Sequence, residues 1–144
     1  QPQRAYFGQK DAQQALVVRR MVRDLDFPVE VVVCPTVREA DGLAMSSRNV
    51  YLSPDERQRA TALSRALEAA RRAAANGAVT PAEVLAVARG ELAAAGVEPE
   101  YLELRSLEDL RPVESLERPA LLAVAARIGR ARLIDNVTLG GAEL

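Results

Sequence analysis

The stretch from Arg4 to Cys34 constrains this chain most, because it reads as strand, helix and strand with too little around it to cover the sheet. Arg4-Ala5-Tyr6-Phe7-Gly8 is a short strand running into a glycine turn. Asp11 follows as a helix N-cap, with Gln14 three residues on as its capping-box partner. Ala15, Val18, Val22 and Leu25 recur at helical spacing, with Arg19, Arg20 and Arg23 between them. Phe27-Pro28 ends the helix. Val29 to Cys34 is then a nearly continuous apolar, β-branched run, the pattern of a strand buried on both faces of a parallel sheet. This is a βαβ unit, and its crossover is expected to be right-handed. Two parallel strands and one helix cannot cover both faces of a sheet or hide its edges. The unit is therefore expected to be the closing part of a larger doubly wound sheet.

Composition narrows the remainder. The 144 residues suit one ordinary domain or two very small ones. Apolar residues make up 49% and aromatics 3%, with no Trp, so a packed core must come from Leu, Val and Ala. A net charge of −1 argues against a nucleic-acid partner, which calls for a basic excess. One cysteine allows no internal disulfide and no Cys-based zinc site. The lack of histidine removes Ser-His-Asp and Cys-His catalysis and imidazole metal sites from this chain. The longest apolar stretch, Ala120 to Ala126, is too short to cross a bilayer, so no membrane partner is expected. No signal peptide opens the sequence, and Gln1 rather than Met stands first, so the chain is expected to start elsewhere than its gene does.

Pro35 to Asn49 is polar and without period, a long loop of the kind that is functional or joins domains. Ser53-Pro54-Asp55-Glu56 starts a second helix: a serine cap, proline at the first helical position and acids in the first turn. Its apolar face is Leu63, Ala66, Leu67, Ala70 and Ala74, and Asn76-Gly77 stops it. Thr80-Pro81-Ala82-Glu83 repeats the start signal, Leu85, Ala88, Leu92 and Ala95 form the next stripe, and Gly96 ends it. Tyr101 to Arg105 alternates like a half-buried strand. Leu121 to Ile128 and Ala131 to Ile134 are two more strands, joined by a two-residue turn at Gly129-Arg130. The chain is thus expected to be α/β: one βαβ unit over residues 1–46, then two helices and a three-stranded antiparallel sheet over residues 47–144.

Two segments can carry chemistry. In Phe7-Gly8-Gln9-Lys10-Asp11 a strand ends and a helix begins, so free N–H groups at the positive end of the helix dipole suit a phosphate or other anion. Lys10, the only lysine, sits at that mouth. The plain alternative is an ordinary capped helix with a surface lysine, and Gln14 either caps it or faces a ligand with its amide. In Asp41-Gly42-Leu43-Ala44-Met45-Ser46-Ser47-Arg48-Asn49, two hydroxyls and a guanidinium can grip a polyphosphate. The plain alternative there is a polar linker whose Ser and Asn cap turns. Neither a Walker A pattern nor G-x-G-x-x-G is present. Arg57, Arg59, Arg65, Arg71 and Arg72 read as a solvated helix face, Cys34 as buried and inert, and Arg132 with Asp135 as a pair at the end of the sheet.

Taken together, Phe7-Gly8-Gln9-Lys10-Asp11-x-Gln13-Gln14 and Pro35-Thr36-Val37-Arg38-Glu39-x-Asp41-Gly42-Leu43-Ala44-Met45-Ser46-Ser47-Arg48-Asn49-x-Tyr51-Leu52 resemble the pantoate–β-alanine ligase (pantothenate synthetase) family. Arg132-Leu133-Ile134-Asp135-Asn136 resembles its closing strand. The resemblance implies a Rossmann-like nucleotidyltransferase domain, of which residues 1–46 are the last part, followed by a small α+β lid. It implies an enzyme that activates pantoate with ATP to a pantoyl adenylate, releasing pyrophosphate, and then joins it to β-alanine, releasing AMP. Magnesium accompanies the nucleotide, and the family is a cytoplasmic homodimer.

By the same resemblance, Gly8, Gln9, Lys10 and Asp11 match the ATP-binding turn, with Lys10 on the phosphates. Gln14 matches a pantoate-binding glutamine, and Val37 falls where backbone holds the adenine side of ATP. Met45, Ser46, Ser47 and Arg48 match a version of the Lys-Met-Ser-Lys-Ser loop that closes over the phosphates. Lys10, Ser46, Ser47 and Arg48 are then the expected catalytic groups, and no residue is assigned to metal. The family's His-Ile-Gly-His-like motif is missing, so the chain is expected to be a carboxy-terminal portion that is inactive alone. Two alternatives stay open: another nucleotidyltransferase of the same fold group, or a non-catalytic nucleotide-binding or assembly module that pairs through its exposed βαβ edge.

Overall fold

A computed structural model describes residues 1–77 and 80–144. Strands β1 (Arg4–Gly8) and β2 (Glu30–Cys34) pair in parallel, from Arg4 beside Glu30 to Gly8 beside Cys34. A 3₁₀ turn (Gln9–Asp11) and α1 (Ala12–Asp24) connect them. The βαβ unit is as expected, but its burial is not. One helix and one neighbouring strand leave β2 half-exposed rather than covered on both faces, and Cys34 at its end is exposed. Along α1 only Ala12, Ala15 and Leu16 are buried, while Leu25, expected on the apolar face, is exposed together with Val17 and Met21. Asp11 sits at the N-cap of α1, yet its side chain caps nothing and no capping box forms with Gln14. A capping residue needs extended backbone; the preceding 3₁₀ turn leaves Asp11 at φ −96° and ψ 57°.

The segment 35–46 is more ordered than an aperiodic loop. Arg38 bridges to Ala44, Glu39 N–H donates to Leu43 O at 2.8 Å, and Met45 N–H donates to Val37 O at 2.9 Å, which makes a miniature hairpin. Leu43 from its tip is buried in the main core. A second 3₁₀ turn (Ser47–Tyr51) follows.

The single helix expected after Ser53 is two, α2 (Pro54–Ala60) and α3 (Ala62–Ala75). Thr61 interrupts it: its hydroxyl donates to Gln58 O at 2.7 Å, a local bond that competes with the helical ladder. Helix α4 (Pro81–Ala94) completes the hairpin. Both expected helix starts form, and each closes a capping box, Ser53 with Glu56 and Thr80 with Glu83. The stripe of α4 is Val84, Ala88 and Leu92, with Leu85 at its half-buried margin.

Strands β3 (Pro99–Ser106), β4 (Ala120–Ile128) and β5 (Ala131–Leu139) form an antiparallel sheet in that order. Gly129, at φ 57°, makes the expected tight turn, and β5 runs on to Leu139 rather than stopping at Ile134. Side chains alternate across a strand. Leu102, Leu122, Val124, Leu133 and Leu139 therefore face Leu63, Leu67, Val84 and Leu92 of the helices in the main core. The opposite face of the sheet meets the βαβ unit through a small cluster in which Ala12 and Leu16 pack on Leu121. Among the described residues no helix is long and apolar enough to cross a membrane.

Candidate functional site

The two phosphate-suited segments meet where β1 ends. Gly8 is extended (φ −78°, ψ 136°), so the turn does not depend on glycine's left-handed freedom, contrary to the sequence reading of a glycine turn. A Cβ added at Gly8 would touch nothing within 4 Å, so packing within this chain does not demand glycine either. The missing side chain leaves open space beside the backbone at the start of α1. Lys10, half-buried, reaches across to the other segment: its Nζ donates to Met45 O at 3.0 Å. Burial pushes the Lys10 ammonium below the ordinary lysine value; Asp11 opposes this, the Arg48 guanidinium adds to it, and Asp135 opposes it. Lys10 and Arg48 thus lie close enough to repel.

Ser46, at the N-cap of the second 3₁₀ turn, accepts Arg48 N–H at 3.2 Å through its hydroxyl. Met45, Ser47 and Arg48 are exposed, and Asn49 anchors the turn from inside by donating to Ala44 O at 3.1 Å. Val37 is also exposed, with its carbonyl taken by Met45 N–H at 2.9 Å. Gln14 lies with Lys10, Asp11 and Gln13 on one wall of a cleft of about 640 Å³. The open face of the sheet is the other wall, with Tyr101, Glu103, Arg105, Arg132 and Asn136. Gln9 is not a cleft residue; its side-chain amide donates to Asn136 Oδ1 at 3.3 Å.

One expected pair is absent. Arg132 and Asp135 do not meet, because residues three apart in a strand point to opposite faces. Arg132 bonds Glu100 at 2.6 Å on the open face. Asp135 points into the core face and takes both Nη atoms of Arg38, at 2.7 and 2.9 Å. That bond holds the Arg38 guanidinium above its ordinary value. Sequence reasoning also passed over Asn136, whose Nδ2 donates to Gln9 O at 2.9 Å and Lys10 O at 3.1 Å. The available signal was two adjacent polar residues in an otherwise apolar strand, Leu133-Ile134-Asp135-Asn136-Val137. Among the helix arginines, Arg57 is not simply solvated; it pairs with Asp41 of the hairpin at 3.1 Å. Among the described residues no three His, Cys, Asp or Glu side chains converge as a metal cage.

Residues 1–138 match the model of the family described as pantoate-beta-alanine ligase. The pantothenate synthetase of Chelativorans sp. (strain BNC1) is 59% identical over 135 residues, which are 92% of this chain and 47% of that protein. The crystal structure of pantothenate synthetase from Thermus thermophilus superposes with a TM-score of 0.88 at 55% identity, over 94% of this chain and 49% of that one. Pantoate-beta-alanine ligase from Francisella tularensis, solved in complex with beta-gamma ATP and beta-alanine, superposes with a TM-score of 0.61 at 26% identity, over 94% of this chain and 43% of that one. The chain thus spans about half the length of the curated relatives it matches.

Proposed function

The chain belongs to the pantoate–β-alanine ligase family, and from that we propose that its residues form the phosphate-gripping and lid part of an enzyme that condenses pantoate with β-alanine at the expense of ATP. One observation carries the reading. The turn at Gly8 to Asp11 and the segment Met45 to Arg48 are far apart in sequence, yet Lys10 Nζ bonds the carbonyl of Met45 at 3.0 Å.

In the proposed reaction a carboxylate oxygen of pantoate attacks the α-phosphorus of ATP, and the bond to pyrophosphate breaks. Negative charge builds on the leaving pyrophosphate. Lys10 and Arg48 are neighbouring cations at one mouth, and positive charge near a developing negative charge stabilises it. The serine hydroxyls of Ser46 and Ser47 add neutral donors, and open space beside Gly8 lets a phosphate approach the backbone. Gln14 offers its amide to pantoate from the cleft wall, and the exposed residue Val37 lies on the adenine side. The amine of β-alanine then attacks the acyl carbon, and AMP departs with the acyl oxygen. Holding two substrates together lowers this barrier further.

Magnesium has no protein cage among the described residues, and a nucleotide-bound ion keeps phosphate oxygens and water as its ligands. Residues 1–46 belong in this proposal to the nucleotide-binding domain and 47–144 to the lid. The complete enzyme is a cytoplasmic homodimer, and the 144-residue chain alone does not turn over.

The test is AMP formation from ATP and pantoate, with and without β-alanine. It compares the 144-residue chain with a form extended to the length of its relatives. The extended form should make AMP with β-alanine required for turnover, and Lys10→Met in it should slow the reaction by about 10²–10³-fold, the range for removing one transition-state donor. Turnover by the 144-residue chain would overturn the division of labour, and an extended form that makes no AMP would overturn the ligase reading.

A further inference from the structure

The adjacent residues Asp135 and Asn136 serve the two halves of the site separately. Each is 3% exposed, and they point to opposite faces of β5. On the core face, Asp135 takes the Arg38 guanidinium in two bonds of 2.7 and 2.9 Å. The same guanidinium donates to Gly42 O at 3.1 Å, so it pins the tip of the miniature hairpin whose outgoing strand delivers Met45 and Ser46. On the open face, Asn136 spends its whole amide on the turn: Nδ2 goes to the carbonyls of Gln9 and Lys10, and Oδ1 accepts from Gln9 Nε2. Asn136 N–H donates to Asp135 Oδ1 at 2.8 Å, which ties the two together.

Buried polar groups are costly in an apolar strand unless they are partnered; the Asn136 side chain finds its partners in the turn, and that of Asp135 in the hairpin residue Arg38 and the Asn136 backbone N–H. β5 itself needs neither; it is paired to β4 along its whole length. The direct link between the two segments is a single lysine bond to a carbonyl. A phosphate that claims the Lys10 ammonium breaks that link, whereas the bonds to β5 stay.

On the reading that these segments grip ATP, we propose that Asp135 and Asn136 are positioning residues. They fix the spacing between the Gly8–Asp11 turn and the Met45–Arg48 segment so that both meet one triphosphate. The prediction separates ATP from AMP, because only the triphosphate spans both segments.

The test titrates ATP and AMP calorimetrically into the extended form of the protein and its Asn136→Ala, Arg38→Lys and Lys10→Ala variants. Arg38→Lys keeps the charge but loses the two-pronged fit. Asn136→Ala and Arg38→Lys should each weaken ATP about 10-fold, as the loss of one well-made bond to the site implies, while AMP shifts less than about 3-fold. In the Lys10→Ala background, Asn136→Ala should add less than about 3-fold, because coupled residues are non-additive. A general loss of stability would lower both nucleotides alike, so an unchanged ATP:AMP ratio in both variants overturns the proposal, as does simple multiplication in the double variant. If Asn136→Ala gives no cooperative melt, Arg38→Lys decides by the same ratio. A parent protein in which Lys10→Ala leaves ATP binding unchanged overturns the proposal together with the phosphate-gripping reading beneath it; an effect of Lys10→Ala alone overturns only the positioning role.

Discussion

Replacing Asp135 by asparagine removes a charge while keeping the shape, and the structure sets the size of the effect. The carboxylate side chain is 2% exposed and the Arg38 side chain 30% exposed. Asparagine can still accept one of the two Arg38 bonds at its oxygen. Its NH₂ group then faces the other guanidinium N–H, donor against donor. Breaking a fully buried ion pair costs roughly 3–5 kcal/mol, and leaving one buried donor unpaired roughly 1–3 kcal/mol. Water reaches part of Arg38 and one of the two bonds survives, so the cost should fall in the upper part of the lower range, about 2–3 kcal/mol. For a chain of this size that lowers Tm by about 4–12 °C. Urea denaturation of the 144-residue chain reads it as a fall in midpoint without a change in slope. The double replacement Arg38→Met with Asp135→Leu should recover most of the loss, since apolar groups of similar volume often replace a buried pair without penalty. A cost below about 0.5 kcal/mol for Asp135→Asn would place the pair with exposed ion pairs and refute the claim that it anchors the hairpin.

Three further outcomes are expected. Gly129→Ala must hold φ near 57°, and its Cβ would collide with the Glu56 carboxylate that completes the Ser53 capping box; strain of about 1–2 kcal/mol plus up to about 1 kcal/mol of lost cap should appear in urea melts, and the cap share should vanish in a Glu56→Ala background. Leu67→Ala, at a position with no exposure, should cost about 2–5 kcal/mol, measured the same way. For Lys10, burial lowers the ammonium's affinity for its proton in the folded state, so the unfolded chain binds more protons just below pH 10.5, and stability gains from this group as pH rises through that window. A bound triphosphate reverses the shift, so ATP binding in the alkaline range should take up a proton. Calorimetry in buffers of different ionisation heat detects it, and Lys10→Met should abolish it.

Legibility in the sequence followed how local each determinant is. Both capped helix starts, the glycine at the hairpin turn and the three antiparallel strands were readable because serine, threonine, proline and glycine act on their own neighbours. The break at Thr61 was not, since threonine is tolerated within helices and only the bond to Gln58 shows that it competes here. Cys34 and Leu25 were assigned to the interior because an apolar run implies a covering layer, but the βαβ unit has too few layers to supply one. At the site, Lys10, Gln14 and the Met45–Arg48 segment could be singled out by residue type. Asp135 was matched to Arg132, its neighbour in sequence, although strand parity forbids that contact; its actual partner, Arg38, lies 97 residues away and depends on how the hairpin docks. Asn136 escaped notice for the same reason.

The single lysine also makes the site addressable by reagents that ignore the rest of the molecule. Eighteen of the nineteen basic residues are arginine, so a protease that cuts after lysine has one bond to find, between Lys10 and Asp11. That bond lies in the turn proposed to hold phosphate, with the Lys10 carbonyl tied to Asn136. Resistance of this one peptide bond to cleavage becomes a report on the state of the turn, visible as one band or two on a gel. The same residue carries the one side-chain amine of the 144 residues that an acylating label can take.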